Sequence, residues 1–437
     1  MRIARACRTL GIAPIGVVSE ADRGALWTSV FDDVVCLGKA APAESYLSMQ
    51  RIVQAAHQTR ASAVHPGWGF LAENQRFAAL VRQHGFAFVG PPTRSMRQMG
   101  SKTPAKRAMK AAGLEVVPGS DGPLSGPEEA VEIAREVGYP VLLKAESGGG
   151  GRGMRRVEEE SGLRDAYLSA SAEAASAFGD PAVFLEKLIE GGRHVEVQIL
   201  VDHFGNGVHL GERECSVQRK HQKLLEESPC SALSPEERSA LGERALKAAI
   251  EVGYASAGTI EFLLTPEGKI YFIEMNTRLQ VEHPVSELVT GIDIAAKQIE
   301  IAANRPLGLT QDDVTFTGAA IELRINAEDP FADFRPTPGK VEVFHFPEEV
   351  AGDATLRIDT HVSAGDVIPP YYDSLVAKVL IHAPTRAIAI ERLGQALGHA
   401  RVEGISTTIP LHQAILADPD FQAGNYDTSK IPGWEEN

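Results

Sequence analysis

The sequence "TIEFLLTPEGKIYFIEMN", residues 259–276, predicts a β-hairpin, because two apolar strands flank the turn "TPEG". Successive side chains of a strand point to opposite faces, so Glu274 and Asn276 share one face, while Glu261 and Leu263 share a face of the partner strand. Two carboxylates and an amide oxygen brought together across a hairpin suit a hard divalent cation such as Mg²⁺. The pattern therefore predicts a metal site on one face of this hairpin.

The charged segment after the hairpin, "TRLQVEHP" at 277–284, bears on whether that metal site exists. Two solvated strand glutamates are the simpler interpretation of the hairpin carboxylates, since glutamate is mostly found at the surface. Arg278, Gln280 and Glu282 follow the apolar strand directly, and this cluster of polar and charged groups favours a functional site. The hairpin by itself leaves both interpretations open.

Four consecutive glycines stand in "ESGGGGRGMRRV", residues 146–157, directly after the apolar strand "YPVLLKA". They indicate either a slack linker or a loop that approaches a ligand too closely for any Cβ. A strand that ends near Lys144, followed by a glycine loop with Arg152, could wrap nucleotide phosphates with backbone N–H groups and positive charge. Glycine linkers are the commoner case, so the glycines alone do not decide between the two.

Composition and charge limit the function classes. The chain has 437 residues, enough for two or three domains, and its net charge of -15 argues against nucleic-acid binding, which needs a basic surface. Its four cysteines contain no Cys-x-x-Cys pair, so zinc-site spacing is absent. No apolar run approaches the ~20 residues that span a bilayer. With no secretion signal at the start either, we expect a cytoplasmic protein without membrane or nucleic-acid partners.

Strand and helix signals divide the chain into regions. Residues 1–90 alternate helical patterns with "PIGVV", "VVCLG", "ASAVHPG" and "FAFVGP", which predicts a parallel sheet with crossover helices. The alternation in "HVEVQILVD" (194–202) predicts a half-exposed strand. Strands in "TGAAIELRINAEDP" (317–330) and "GKVEVFHF" (339–346) predict a separate β-rich unit at the C-terminal end.

Five segments together resemble the biotin carboxylase family of ATP-grasp enzymes. They are "HPGWGFLAEN" (65–74), "YPVLLKAESGGGGRGM" (139–154), "ERECSVQRKHQKLLEESP" (212–229), "FIEMNTRLQVEHPVSE" (272–287) and "RINAEDP" (324–330). The resemblance covers essentially the whole chain in the same order. It implies an α/β and α+β fold with a Rossmann-like N-terminal domain (1–90), an ATP-grasp domain (91–305) with a mobile lid at about 117–188, and a β-rich C-terminal domain (306–437).

The resemblance also implies a site for ATP and a divalent cation. At the phosphates it places Lys102, Lys144, Gly148, Gly149, Gly150 and Gly151; around the adenine Met154, Glu186, Lys187, Ile189 and Leu263; and at ribose and phosphate positions His194, Gln218 and His221. Mg²⁺ or Mn²⁺ would be held by Glu261, Glu274 and Asn276, in agreement with the hairpin argument.

A second set of residues falls where the family binds bicarbonate and biotin. Bicarbonate would contact Lys223, Arg278, Gln280 and the backbone of Val281. Glu282 corresponds to the family's general base, and Arg324 to the arginine that faces the biotin ureido oxygen. The implied reaction forms carboxyphosphate from ATP and bicarbonate and then carboxylates biotin.

Partners follow from the same resemblance. The nearest string to the biotin-acceptor sequence "AMKM" is "AMKA" (108–111), which lies in a helical pattern, so biotin is expected on a separate carrier protein. We expect the chain to form a homodimer. We also expect two partners, a biotin carboxyl carrier protein and a carboxyltransferase subunit, in an acyl-CoA carboxylase such as the acetyl-CoA carboxylase of fatty acid biosynthesis. The alternatives are another bicarbonate-activating ligase of the carbamoyl-phosphate synthetase type and a non-catalytic nucleotide-binding scaffold subunit.

The sequence departs from the family pattern in three places. Glu146 replaces a small residue beside the phosphates and should weaken nucleotide binding unless its carboxylate turns outward. Trp68 replaces the commoner tyrosine near the biotin side. The family's first strand and its "NRGEIA"-like turn are not found before the first helix. Since neighbouring strands would then lack ladder partners, we expect translation to start upstream of Met1.

Overall fold

The N-terminal region alternates helices with short parallel strands. The computed structural model describes residues 1–147 and 154–435. The elements here are α1 (Arg2–Thr9), β1 (Ile15–Ser19), β2 (Asp33–Gly38), α2 (Met49–Gln58), β3 (Ala63–Val64), α3 (Gln75–Gln83) and β4 (Ala87–Phe88). β1 pairs with β2 and β3 with β4, both in parallel, and among the described residues no ladder joins the two pairs. The predicted parallel pairing is confirmed, and β1 and β3 each keep one edge without a strand partner in that part of the chain.

The central region contains most of the helices and the longest strands. Its elements are α4 (Thr93–Met99), α5 (Lys102–Ala111), α6 (Pro127–Val137), β5 (Val141–Ala145), β6 (Met154–Val157), α7 (Leu163–Phe178), β7 (Val183–Lys187), β8 (Arg193–Val201), β9 (Gly207–Arg219), β10 (Gln222–Ser228), α8 (Pro235–Glu251), β11 (Ser256–Leu264), β12 (Ile270–Asn276), α9 (His283–Thr290) and α10 (Ile294–Ala302). Local signals set several of the helix ends. α8, for example, begins with a capping box between Ser234 and Glu237 and has a proline in its first turn.

A small unit of helices and strands stands apart from the main sheet. β6, β5 and β7 form a three-stranded antiparallel sheet, and α6 and α7 pack against it around a core that includes Leu143, Leu163 and Leu185. This unit has its own hydrophobic core and corresponds to the predicted lid. The glycines between β5 and β6, Gly148 to Gly151, lie outside the described residues.

The C-terminal region is rich in short strands. Its elements are β13 (Ala319–Asn326), β14 (Glu328–Asp329), β15 (Arg335–Pro336), β16 (Gly339–Lys340), β17 (Val343–His345), β18 (Thr355–Thr360), β19 (Val367–Ile368), β20 (Leu375–Ala383), α11 (Arg386–His399), β21 (Arg401–Glu403), α12 (Ile409–Ala417) and α13 (Pro419–Ala423). The predicted helix over "AIAIERLGQALGHA" is α11. Within the described part of the chain, no helix has both the length and the apolar character needed to cross a bilayer.

One eight-stranded sheet crosses from the central region into the C-terminal region. Its strand order is β12-β11-β8-β9-β10-β13-β20-β18. β10 and β13 pair in antiparallel fashion, with Leu225 opposite Leu323 and Glu226 opposite Glu322. The C-terminal region is β-rich, as predicted, but the expectation that its strands stand apart from the central region is wrong. Strand signals in the sequence locate strands but do not reveal which neighbours share a ladder, and here the ladder continues across residue 306.

β8 is buried on both faces, so the prediction of a half-exposed strand is also wrong. Val195, Val197, Ile199 and Val201 face the hydrophobic core that α8 also lines. Glu196 and Gln198, on the other face, are fully buried, and both accept hydrogen bonds from Arg213 of β9, which also donates to Ser286 of α9. Alternation of apolar and polar residues predicts two chemically different faces. It does not distinguish a solvated polar face from one that is buried and paired.

We expect the continuity of this sheet to be visible in unfolding. Val379 of β20 is fully buried, and Val379→Ala should lower the free energy of unfolding by about 2 kcal/mol, from two lost methyl groups and the cavity they leave. Val367→Ala is the matched control, because Val367 is 66% exposed. In chemical denaturation followed by fluorescence and circular dichroism, the loss should appear in the transition that also unfolds the central strands. A distinct C-terminal transition that moves alone would contradict the shared sheet.

Candidate active site

A large cavity lies where the three regions meet. Its volume is about 720 Å³, within the usual range for small-molecule sites. It is lined by the small unit of β5–β7, by the strands of the main sheet, and by residues of the N- and C-terminal regions such as Trp68 and Asp373. All the predicted site residues that the structure describes line this cavity. Residues far apart in sequence are thus brought into one site.

The end of the cavity beside the small unit is rich in lysine. Glu186 of β7 accepts hydrogen bonds from Lys106 at 2.7 Å and Lys144 at 2.5 Å. Burial alone would raise the pKa of Glu186, but the two ammonium groups dominate and lower it to about 2. Lys102 lies at the start of α5 and also lines the cavity, where burial lowers its pKa. The lysine-rich end therefore offers cations to an anionic ligand.

The hairpin of β11 and β12 places its two carboxylates opposite each other, as predicted. Glu261 pairs in register with Glu274, and both line the cavity. Glu261 faces His194 Nε2 at 3.2 Å and Lys223 Nζ at 2.9 Å; burial opposes its ionisation, but the Lys223 ammonium, with the neighbouring His194, holds its pKa low. The surrounding protein and the Glu261 charge raise the pKa of Glu274. Two facing carboxylates with oppositely shifted pKa values are a donor set that a divalent cation would fit.

Asn276 has a different orientation from the one that the metal prediction needs. Its Nδ2 donates to Glu261 at 2.8 Å, and its Oδ1 accepts from Arg278 Nη2 at 3.1 Å. Arg278 is in turn held by Glu73 at 3.0 Å and by Gln280 at 2.7 Å. The amide oxygen that a cation would use is therefore engaged by a guanidinium in this arrangement.

At the far end of the cavity, two cations meet on one buried carboxylate. Glu282 accepts a hydrogen bond from Lys223 at 2.7 Å on one oxygen and from Arg324 at 2.9 Å on the other. Burial opposes its ionisation, but Lys223 and Arg324 hold its pKa well below the usual range. Lys223 also contacts Glu196 at 2.5 Å. Glu282 is therefore ionised at neutral pH.

A fully buried arginine supports this end of the cavity from behind. Arg213 of β9 donates to Glu196 at 2.6 Å, Gln198 at 2.7 Å, Ser286 at 3.0 Å and Thr259 at 3.1 Å. Glu196 therefore stands between Arg213 and Lys223. Since an unpaired buried charge is strongly destabilising, the chain Arg213–Glu196–Lys223 fixes where the Lys223 ammonium lies.

Comparison with known families agrees with this geometry. Residues 1–96 match the biotin carboxylase N-terminal domain, residues 101–310 the ATP-binding domain of the carbamoyl-phosphate synthase L chain, and residues 322–432 the biotin carboxylase C-terminal domain. The biotin carboxylase of Nostoc sp. is 50% identical over 431 residues, which cover 99% of this chain and 96% of the relative. The chain belongs to the biotin carboxylase family.

As a member of this family it is an ATP-grasp ligase that carboxylates biotin at the expense of ATP. One of the pyruvate carboxylase subunits of Methanothermobacter thermautotrophicus is 46% identical over 428 residues, covering 98% of this chain and 86% of the relative. The biotin carboxylase domain dimer of the Hydrogenobacter thermophilus 2-oxoglutarate carboxylase, in complex with MgADP, ADP and bicarbonate, has a TM-score of 0.93 at 47% identity, covering 98% of this chain and 93% of that chain. The resemblance inferred from the sequence is confirmed.

Glu146, which departs from the family pattern, faces neither the nucleotide end nor open solvent. Its two carboxylate oxygens accept from Thr103 N at 2.9 Å and Thr103 Oγ1 at 2.6 Å. Thr103 lies in the first turn of α5, where unsatisfied N–H groups and the helix dipole favour a negative charge. Part of the unfavourable effect expected on ATP phosphates is therefore offset by the helix.

Several residues of the site were not found from the sequence. Lys106 contacts Glu186, and its spacing of four from Lys102 on a helix was the available signal. Glu73 lies in the quoted segment "HPGWGFLAEN", but nothing local indicates that it holds Arg278. Glu196 and Glu226 have only strand alternation as a signal, because their partners lie on neighbouring strands.

We expect Glu146 to act mainly on stability. Glu146→Ala should lower the free energy of unfolding by about 1 kcal/mol, because α5 loses an acceptor and a negative charge at its N-terminus. Glu146→Gln keeps an acceptor for Thr103 and should lose less. The dissociation constant for ATP should change by less than about threefold in both variants, since the charge is met by the helix. Urea denaturation and calorimetric ATP titration check this; a large gain in ATP affinity in Glu146→Gln would contradict it.

Proposed function

We propose that the cavity performs the first half-reaction of a biotin-dependent acyl-CoA carboxylase, with the residue roles that follow. Glu282 takes the proton of bicarbonate, the resulting oxyanion attacks the γ-phosphorus of ATP, and ADP leaves, which yields carboxyphosphate. Carboxyphosphate then divides into CO₂ and phosphate, the phosphate takes the ureido proton of biotin, and the nitrogen attacks CO₂. The observation that most strongly supports this is the Glu282 carboxylate between Lys223 and Arg324.

The lysine-rich end suits the nucleotide. Cations of Lys102 and Lys144 would bind the phosphates together with Gly148 to Gly151, and the remaining contacts would come from the cavity lining. Those for the adenine are Met154, Glu186, Lys187, Ile189 and Leu263, and those for ribose and phosphate are His194, Gln218 and His221. Because the Glu186 carboxylate is already paired with Lys106 and Lys144, its contact with adenine would use backbone groups.

Glu261 and Glu274 would hold Mg²⁺ or Mn²⁺, with Asn276 as a third ligand if its amide turns away from Arg278. The cation, when bound, would neutralise negative charge on the phosphates during transfer. Lys223 contacts both Glu261 and Glu282, so it stands between the metal position and the base. A cation bound to Glu261 would weaken the ion pair between Glu261 and Lys223. The Lys223 ammonium could then donate hydrogen bonds to bicarbonate.

The low pKa of Glu282 has a direct consequence for its role as base. With Lys223 and Arg324 both on its oxygens, the carboxylate is ionised but weakly basic. Bicarbonate would be bound by Lys223, Arg278, Gln280 and the Val281 backbone. It would accept hydrogen bonds from Lys223, and its negative charge would raise the pKa of Glu282. Substrate binding would thereby make the base stronger at the moment it is needed. Arg324 would then stabilise the negative oxygen of the deprotonated biotin ureido group.

The proposal includes partners and organisation. Biotin would arrive on a biotin carboxyl carrier protein, a carboxyltransferase subunit would accept the carboxyl group, and the chain would act as a cytoplasmic homodimer. The related structure is described as a dimer, which supports the last point. Domain boundaries at 1–90, 91–305 and 306–437 agree in outline with the three matched ranges. Since the relatives include subunits of pyruvate and 2-oxoglutarate carboxylases, the identity of the carboxyl acceptor would depend on the carboxyltransferase partner.

We expect ATP hydrolysis that requires Mg²⁺ and bicarbonate and increases on addition of biotin. Phosphate release is measured with the purified full-length chain, first without biotin, then with free biotin, and finally with a biotinylated carrier domain. The carrier should act at lower concentration than free biotin, because binding of the protein raises the local concentration of the ureido group. Stimulation by ammonia in place of biotin would support the carbamoyl-phosphate type of ligase, and absence of turnover would support a scaffold subunit.

Glu282→Gln should reduce turnover by about 10²- to 10⁴-fold, the usual cost of removing a general base, while ATP still binds. Glu287→Gln is a matched control in the same segment, since Glu287 is also buried but pairs with Arg2 and does not line the cavity. Steady-state kinetics and ATP titration separate the two effects. A loss of ATP affinity as large as the loss of rate would show that Glu282 has a structural role instead.

A further inference from the structure

Glu226 of β10 is a buried acid that the proposed reaction does not use. Its side chain is fully buried, and its Oε1 accepts from Arg324 Nε at 2.6 Å and lies 2.5 Å from Arg324 Nη2. Arg324 Nη2 also donates to Glu282. The guanidinium that would face biotin is therefore shared between two carboxylates, one in the cavity wall and one behind it.

The backbone of Arg324 is anchored independently of its side chain. Its carbonyl oxygen accepts from Thr408 Oγ1 at 3.0 Å and is 2.7 Å from His412 Nε2. The direction of the guanidinium thus depends on Glu226 and Glu282. Within residues 1–147 and 154–435, Arg324 Nη1 has no hydrogen-bond partner, so this N–H group is open to a ligand in the cavity.

The two carboxylates have opposite effects on where the guanidinium points. A guanidinium forms its best pair with a single carboxylate through two parallel N–H groups. If Glu226 did not occupy Nε, Arg324 would be free to turn its second N–H toward Glu282 and pair with it through both. That arrangement would remove Arg324 from the ureido oxygen and leave the base more tightly held.

Charge neutralisation alone does not explain Glu226. Its second oxygen, Oε2, is buried and has no hydrogen-bond partner in the described part of the chain, which costs stability. Burial raises the pKa of Glu226 to about 6 despite the Arg324 charge, and Glu282 contributes to this rise. A well-packed apolar residue would often stabilise such a position better than a buried ion pair. The Glu226 carboxylate instead fixes the orientation of the Arg324 guanidinium.

We propose that Glu226 is a positioning residue for the second step of the reaction: it holds the Nε edge of Arg324 so that the opposite edge faces the ureido oxygen of biotin. The inference rests on the proposed function. It predicts a larger effect on the biotin-dependent rate than on the biotin-free rate, because Glu226 contacts Arg324 directly and reaches Glu282 only through that guanidinium.

The test compares two adjacent glutamates of β10. Glu226→Gln removes the charge behind Arg324. Glu227→Gln is the matched control, since Glu227 is equally buried but pairs with Arg386 and Tyr426 away from the cavity. Phosphate release is measured with bicarbonate alone and with increasing biotin. Glu226→Gln should lower kcat/KM for biotin by about 10- to 100-fold, the cost of one hydrogen bond to a charged group, and should lower the biotin-free rate much less. Glu227→Gln should leave both rates unchanged even if its melting temperature falls.

A double variant shows whether Glu226 acts through Arg324. In an Arg324→Ala background, adding Glu226→Gln should reduce kcat/KM for biotin no further, since the group to be positioned is gone. Glu226→Asp keeps the charge but withdraws it by one methylene, and it should show a smaller loss in the same biotin-specific direction. If the Gln variant does not fold, the Asp variant decides the question.

The outcomes separate this inference from the function it rests on. Wild-type turnover that does not respond to biotin would overturn both. A normal biotin response in wild type, combined with equal loss of the biotin-free and biotin-dependent rates in Glu226→Gln, would overturn the positioning role alone. So would additive losses in the double variant, or a biotin-specific loss in Glu227→Gln.

Discussion

Buried charge is the constraint on which the rest of this structure depends. Four cations and five carboxyl groups stand close together around the far end of the cavity: Arg213, Lys223, Arg324 and Lys378, with Glu196, Glu226, Glu261, Glu282 and Glu322. An ionised group that loses its partner in such surroundings is strongly destabilising, so each side chain restricts the position of the next. Burial raises the pKa of Glu322 to about 8, which reduces the negative charge of the cluster at neutral pH. The cluster is thereby close to neutral, although it is built almost entirely from ionisable residues.

The continuous sheet is what makes this cluster possible. Glu196 lies on β8, Arg213 on β9, Glu226 on β10, Arg324 on β13 and Lys378 on β20, which are consecutive neighbours in the eight-stranded sheet. Backbone ladders fix the spacing between neighbouring strands, so the side chains meet without long flexible connections. A sheet divided at residue 306 would place Arg324 and Glu282 on separate bodies. The continuity of the ladder therefore has a consequence for chemistry as well as for stability.

Much of the site could be predicted because the positions of residues that are close in sequence are related by local backbone geometry. The strand alternation around Glu261 and Glu274 placed both carboxylates on one face, and the register confirms that they are opposite each other. The five motif segments then identified the family, and the residues carried over from it line one cavity. The alternation in β8 was detected correctly, but its meaning was not, because Arg213 and α9 cover the polar face. Glu146 was expected to face phosphates or solvent and instead bonds to Thr103.

The sequence by itself determined the order of strands and helices, the hairpin carboxylates, the glycine-rich segment after β5 and the membership of the family. Each of these depends on residues a few positions apart, where backbone geometry alone relates one side chain to the next. Only the tertiary structure decided that Glu226 stands behind Arg324, that Arg213 supports Lys223 through Glu196, and that Glu73 holds Arg278. The physical reason is that these partners are separated by long stretches of chain. The packing of the sheet therefore decides which charged side chains pair, and local sequence patterns do not predict these pairs.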